Sequence, residues 1–149
     1  QAEDGIRDVE RSRGLGDVYK RQILKIASDT KNMKKLENFT HSALKKNPMC
    51  GDYIKLKINL KKNIIKDVGY ETKSCIYCQA SASLITKNII NKNLKSVIQK
   101  IKLINKFYYN QEISIEGKLF KIFNKKNYKR KNCIYLPINA IVEALKIKN

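Results

Sequence analysis

The strongest constraint on the fold is a seven-residue alternation, Ile54-Lys55-Leu56-Lys57-Ile58-Asn59-Leu60, in which every second side chain is apolar. A period of two belongs to a strand with one face buried and the other in water; a helix would scatter the same residues around its circumference. Lys61-Lys62-Asn63 then supplies a polar turn, and Ile64 to Glu71 reads as the returning strand, with Ile64, Val68 and Tyr70 on one face. His41 to Lys46 reads as a third strand, ended by the Asn47-Pro48 break, because the residue before a proline is steered toward extended backbone. A sheet with one apolar face needs a covering layer.

That layer follows in the sequence. After Cys78 the period lengthens, and Ala80, Leu84, Ile85, Ile89 and Ile90 mark one face of a helix that Asn91-Lys92-Asn93 ends. Leu94 to Phe107 is a second amphipathic helix through Val97, Ile98, Ile101, Ile104 and Phe107 or Tyr108. A last helix runs from about Asn132 or Leu136 to Lys146, with Leu136, Ala140, Ile141, Ala144 and Leu145 inward and Pro137 in its first turn, where a missing N–H is tolerated. Ile23 to Phe39 is polar and loosely helical, with Leu24, Ala27, Met33 and Leu36 as apolar markers and Ser28 or Asp29 as N-caps. Tyr109 to Tyr128 stays open between strand, helix and loop. The expected fold is α+β, a small antiparallel three-stranded sheet packed with helices, and 149 residues suit a single domain.

Composition matters at three points. Residues 1–22 hold four Arg and one Lys, whereas residues 23–149 hold twenty-six Lys and a single Arg, Arg130. Two such biases rarely come from one genome, and the opening reads as a translated sequencing adapter, so residues 1–22 are set aside and the native domain is expected over 23–149 with a truncated first helix. The net charge of +19 falls wholly on that later part. Its lysines are spread over every segment rather than gathered in a stripe, so no specific nucleic-acid partner is expected. No apolar run is long enough to span a bilayer and no secretory leader is recognisable, which argues against a membrane and makes a reducing, cytoplasmic compartment the default. In that setting the four cysteines, Cys50, Cys75, Cys78 and Cys133, point to metal or sulfur chemistry before disulfides.

Cys50 lies in Pro48-Met49-Cys50-Gly51-Asp52, where a turn at Gly51 could bring a thiolate and a carboxylate to one point. Cys75 falls on a strand-to-helix turn, the hairpin returns it toward Cys50, and Cys133 begins the last helix. Three thiolates and one carboxylate at one end of a sheet make a tetrahedral set for Zn²⁺. The alternative is that the cysteines are small buried hydrophobes, the reading favoured for Cys78, which would otherwise complete a zinc-knuckle Cys75-Ile76-Tyr77-Cys78 without a second such pair.

Three motifs, Asn47-Pro48-Met49-Cys50-Gly51-Asp52, Ser74-Cys75-Ile76-Tyr77-Cys78-Gln79-Ala80-Ser81-Ala82-Ser83 and Arg130-Lys131-Asn132-Cys133-Ile134-Tyr135-Leu136, stand in the order in which the NifU/IscU/SufU iron–sulfur assembly family carries its three Cys motifs, and the chain resembles that family from Leu36 to Leu145. It is most similar to the SufU branch. Fifty-seven residues separate Cys75 from Cys133, Asn132 stands where the IscU type has His, the Leu-Pro-Pro-Val-Lys motif is missing, and Arg130 matches an Arg of SufU-like proteins. It departs from the family in Thr72-Lys73-Ser74 before Cys75, where Gly-x-Gly is usual, and in Cys78, where Ser is usual.

The resemblance implies that Cys50, Asp52, Cys75 and Cys133 bind zinc at rest and that Cys50 accepts sulfane sulfur as a persulfide from a SufS-like cysteine desulfurase, whose His displaces one thiolate. Asp52 would be the exchangeable ligand, and Arg130 would support the thiolate cluster with its planar fork of donors. Downstream iron–sulfur assembly or acceptor proteins would take the sulfur, which makes the chain a sulfurtransferase in function. The alternative it implies is an IscU/NifU-type scaffold, without enzymatic activity, that assembles a transient [2Fe–2S] cluster on Cys50, Cys75 and Cys133.

Overall fold

A computed structural model of the chain describes residues 20–110, 115 and 117–148. Three strands, β1 (His41–Lys46), β2 (Tyr53–Lys61) and β3 (Ile64–Lys73), form an antiparallel sheet in the order β1-β2-β3. Residues 20–27 are helical and are called α1. The other helices are α2 (Ile76–Ile89), α3 (Leu94–Tyr109), the single turn α4 (Lys131–Ile134) and α5 (Leu136–Leu145). The expected α+β architecture is the one observed. The part of the opening segment at residues 1–19 lies outside the described residues, and residues 20–22 belong to α1.

The alternation in β2 does what its period demands: Ile54, Leu56 and Ile58 are fully buried while Lys55 is exposed. The β2–β3 hairpin turns through two residues, Lys62 and Asn63, both with positive φ (51° and 62°), the mirror-image turn whose twist matches that of the strands. One expectation is corrected here. Asn59 pairs with Asp67 but Leu60 pairs with Ile65, so Lys66 is an extra residue that bulges the strand. The slip transfers the inward position from Ile64 to Ile65: Ile65, Val68 and Tyr70 face the core and Ile64 is half-buried.

The free edge of β3 is covered at both ends, as an exposed edge must be if it is not to recruit another strand. The Tyr70 N–H donates to the Asn32 carbonyl, and Ile65 exchanges hydrogen bonds with the backbone of Asn91 and Lys92. Gly69 makes the first of these approaches possible: a Cβ there would stand 2.7 Å from the Lys34 carbonyl oxygen and 2.9 Å from Leu36 Cβ. The segment expected as one loose helix from Ile23 to Phe39 is therefore helical only to residue 27 and then runs along this edge. Ser28 and Asp29 follow the helix rather than cap its start: the Ser28 hydroxyl donates back to the Lys25 carbonyl, and an Asp29 carboxylate oxygen accepts from the Lys31 N–H.

Helix α2 is the centre of the molecule. Ala80, Ala82, Ile85 and Ile89 are fully buried, and so are its polar residues Ser81 and Thr86. Each has a backbone partner: Ser81 Oγ donates to the Ile134 carbonyl at 2.6 Å and Thr86 Oγ1 to the Ala82 carbonyl at 2.7 Å. Helix α3, capped by the Asn93 side chain accepting from the Lys95 N–H at 2.8 Å, buries Val97, Ile101, Ile104 and Phe107, the stripe its period requires. The segment left open between Tyr109 and Tyr128 is the end of α3 followed by two short 3₁₀ helices, Gly117–Lys121 and Lys125–Arg130, with residues 111–114 and 116 outside the described set. Helix α5 lies over β1 and β2 and buries Leu136, Ala140, Ile141 and Ala144; Leu145, expected inward, is only half-buried.

Candidate metal centre

Tyr53 pairs with Lys46 on one side and with Lys73 on the other. The Asn47–Asp52 loop and the Ser74-Cys75 turn therefore leave the sheet from the same end. The loop is wound tightly for its length. The Asn47 N–H donates to the Asp52 carbonyl at 2.7 Å, the Gly51 N–H to the Asn47 carbonyl at 2.8 Å, and the Met49 N–H to the Asn47 side-chain oxygen at 3.0 Å. Gly51, at φ 76°, supplies the left-handed residue that this winding needs. Cys50 is carried to the exposed tip beside Met49.

The second turn is made without glycine, and two hydroxyls hold it. Thr72 Oγ1 donates to the Tyr53 carbonyl at 2.6 Å and lies 2.8 Å from Ser74 Oγ, and Gln79 Nε2 donates to the Ser74 carbonyl at 2.9 Å. The Cys75 N–H donates to Asp52 Oδ2 at 3.3 Å, which ties the two turns together. Cys75 is the N-cap of α2, and its side chain makes no capping bond. The third segment is fixed by the core: Ser81 grips the Ile134 carbonyl, and Tyr135 donates its hydroxyl to the Ile104 carbonyl at 3.0 Å. Cys133 thus lies in α4, just ahead of α5 rather than at its start.

The outcome is a convergence of residues from distant parts of the chain. Ligand atoms of Cys50, Asp52 and Cys133 all lie within 4.8 Å of one another. Cys75 adjoins this triad through the bond of its N–H to Asp52, and its thiol acts electrostatically on that of Cys133, but its sulfur lies outside the group of atoms within 4.8 Å of one another. Burial, the neighbouring Cys75 thiol and the negative charges of Cys75, Cys50 and Asp52 hold the Cys133 thiol well above the usual range. Four adjacent acidic groups resist sharing negative charge unless a cation joins them. The donor types fit a thiolate-rich Zn²⁺ or iron–sulfur site, and three of the four expected ligands, Cys50, Asp52 and Cys133, are already grouped, with Cys75 beside them.

Cys78 stands apart from this set. It is fully buried and packed in the core, and burial pushes its thiol up to about 12. Arg130 is exposed, with its guanidinium 5.3 Å from the centre of the Tyr77 ring. Tyr77 is the neighbour that sequence reasoning missed; its place between Cys75 and Cys78 was the available signal. Among the described residues no helix is long and apolar enough to cross a membrane.

Residues 18–114 match the NifU-like N-terminal domain. An iron–sulfur cluster assembly scaffold protein IscU of Thermotoga maritima is 32% identical over 133 residues, which are 87% of this chain and 93% of that one. The zinc-dependent sulfurtransferase SufU of Bacillus subtilis is 32% identical over 66 residues, 44% of this chain and 45% of that one. In backbone, a crystal structure from Fervidobacterium islandicum, described as an iron–sulfur cluster assembly scaffold for the SUF system, superposes with a TM-score of 0.74 at 25% identity, covering 83% of this chain and 93% of that one. With these likenesses beside the three-motif site, the chain belongs to the NifU-like N-terminal domain family, that of the IscU and SufU proteins of iron–sulfur cluster assembly.

Proposed function

We propose that the chain is a SufU-like, zinc-dependent sulfur acceptor that takes sulfane sulfur from a cysteine desulfurase and hands it to downstream iron–sulfur assembly or acceptor proteins. The observation that carries this reading is the contrast within the site: Cys50 is exposed at a loop tip, whereas Cys75 and Cys133 are half-buried, and Asp52 is grouped with Cys50 and Cys133 and bonded to the Cys75 N–H. Cys50, Asp52, Cys75 and Cys133 would hold the metal. Bound Zn²⁺ supplies a positive charge that keeps the thiols ionised and ordered.

The chain's own residues define the transfer. The Cys50 thiolate attacks the outer sulfur of the partner's cysteine persulfide; a Cys50 S–S bond forms, the partner's S–S bond breaks, and the partner's cysteine leaves as a thiolate. No net oxidation occurs. Asp52 is the ligand suited to exchange, being a single carboxylate oxygen among thiolates and already engaged by the Cys75 N–H. Arg130, held on the Tyr77 ring and three residues before Cys133, would supply a positive charge to support the transferred anion.

The test is persulfide loading by a SufS-like desulfurase with cysteine as sulfur source. The wild-type chain gains one sulfur atom on the Cys50 peptide and Cys50→Ala does not; uptake by Cys50→Ala at the wild-type rate would refute the assignment. A second reading, a scaffold that builds a [2Fe–2S] cluster on the same residues, draws on the longer match to the Thermotoga IscU, 87% of this chain against 44% for the Bacillus SufU. Anaerobic reconstitution with iron and sulfide separates the two: a transferable cluster favours the scaffold, and retained zinc with desulfurase stimulation favours the sulfur acceptor.

A further inference from the structure

The proposed sulfur acceptor uses three thiols, and the fold buries a fourth, Cys78, one helical turn from Cys75. Cys75 is the N-cap of α2 and Cys78 lies within that helix's first turn. An N-cap side chain and the third helical residue are within mutual reach, which is the basis of reciprocal capping. Side chains three apart on a helix have Cβ atoms ~5–6 Å apart. A disulfide needs about 3.5–4.5 Å, a closure of roughly an ångström or two at a helix end. The Cys75 side chain makes no capping hydrogen bond that this closure would have to break.

The surroundings separate the two sulfurs by access. Cys75 is half-exposed, whereas Cys78 is 0% exposed and sealed into the core. Beside it lies a second feature of the core. Among the described residues the Tyr70 hydroxyl is the buried side-chain polar atom without a hydrogen-bond partner, and the Cys78 sulfur is the charge-bearing group that acts on it. An unpaired buried hydroxyl is costly to keep.

We propose that Cys75 and Cys78 form a reversible intramolecular disulfide, a redox modification site that withdraws Cys75 from the metal set. Cys75, the reachable thiol, attacks a disulfide of the glutathione class: a mixed disulfide forms on Cys75 and one glutathione thiol leaves. Cys78, the resolving thiol, then attacks the Cys75 sulfur, the mixed S–S bond breaks, and the second glutathione leaves as a thiol. Two protein thiols are oxidised and one disulfide is reduced to two thiols, which take the two protons. The disulfide itself follows from the placement of the two thiols; only its consequence for metal rests on the proposed zinc site.

The test uses the full chain, stripped of metal, treated with oxidised glutathione, alkylated and digested with trypsin. Cleavage after Lys73 and Lys87 leaves both sulfurs in one peptide, with Cys50 and Cys133 in two others. The expected product is the 74–87 peptide lighter by two hydrogens and unalkylated, with Cys50 and Cys133 alkylated. A cross-linked Cys50–Cys133 pair, or Cys75 joined to either of them, would overturn the proposal. Oxidation should weaken zinc binding, read by chelator competition, by at least about tenfold, the loss that even an outer partner of a ligand brings. Dithiothreitol should restore it, and Cys78→Ser, which leaves the four proposed ligands intact, should be insensitive to the same treatment. If the reduced chain binds no zinc while the light 74–87 peptide forms, the zinc reading fails and the disulfide stands.

Discussion

The two ends of the sheet are built in opposite ways. At the Lys62-Asn63 end the chain reverses through two residues, a bulge at Lys66 tightens the twist, and backbone from Asn91 to Leu94 closes onto β3, so backbone satisfies backbone. At the other end three segments meet with no shared ladder, held by Asn47, Thr72, Asp52 and Ser81 acting as side-chain clamps on backbone groups. Their thiols and the second carboxylate oxygen of Asp52 are left to bind something else. One end secures the fold and the other holds chemistry on top of it, and each end should be breakable with little effect on the other.

The largest expected effect is at the site end. Cys133→Ser should weaken zinc binding by on the order of 100- to 1000-fold, one ligand's share of the ~10–16 kcal/mol of a structural zinc site. The urea midpoint of the metal-free chain should hardly move. Ile58→Ala should do the reverse. Ile58 is fully buried between His41 and Val68 in the register, and its loss should lower stability by about 2–5 kcal/mol in urea unfolding while the four proposed ligands stay in place. Gly69→Ala should cost ~1–3 kcal/mol, because the added methyl meets the Lys34 carbonyl and the backbone has to shift.

A pH titration sharpens the contrast. Cys78 is held at about 12 in the fold, above the ~8.5 of an unfolded thiol. Below the unfolded value both states keep the proton and its contribution is intact. As pH rises from about 8.5 to 12 the unfolded chain ionises first, so stability falls. The metal-free chain should lose stability over that window, and Cys78→Ala should show a shallower loss. The smallest effect belongs to the exposed pair Lys45–Glu143, at 2.8 Å between β1 and α5; Glu143→Gln should change stability by under about 1 kcal/mol, less in high salt.

The sheet was legible because period two has one structural meaning. The slip at Lys66 was not, since a bulge adds a residue that looks like any other lysine, and Ile64 and Ile65 are chemically the same. Helix α2 was found from Ala80, Leu84, Ile85 and Ile89, although it is buried nearly all round and its stripe is correspondingly weak. The run after Tyr109 was not legible, because short 3₁₀ helices have no repeat long enough to show a period. The return of Cys75 to the Cys50 and Asp52 end followed from the hairpin, which brings the chain back to where it started. The seat of Cys133 in α4 and the contact of Arg130 with Tyr77 depend on packing among α2, α3 and α4, which no local pattern encodes.

X-ray absorption at the zinc edge of the metal-loaded chain bears most directly on the claim that four residues share one ion. Three sulfur neighbours at ~2.3 Å and one oxygen at ~2.0–2.2 Å are expected, collapsing to two sulfurs in Cys133→Ser. Four sulfurs would bring Cys78 into the shell, and a nitrogen would implicate His41 at the other end of the sheet; either shell would contradict the account.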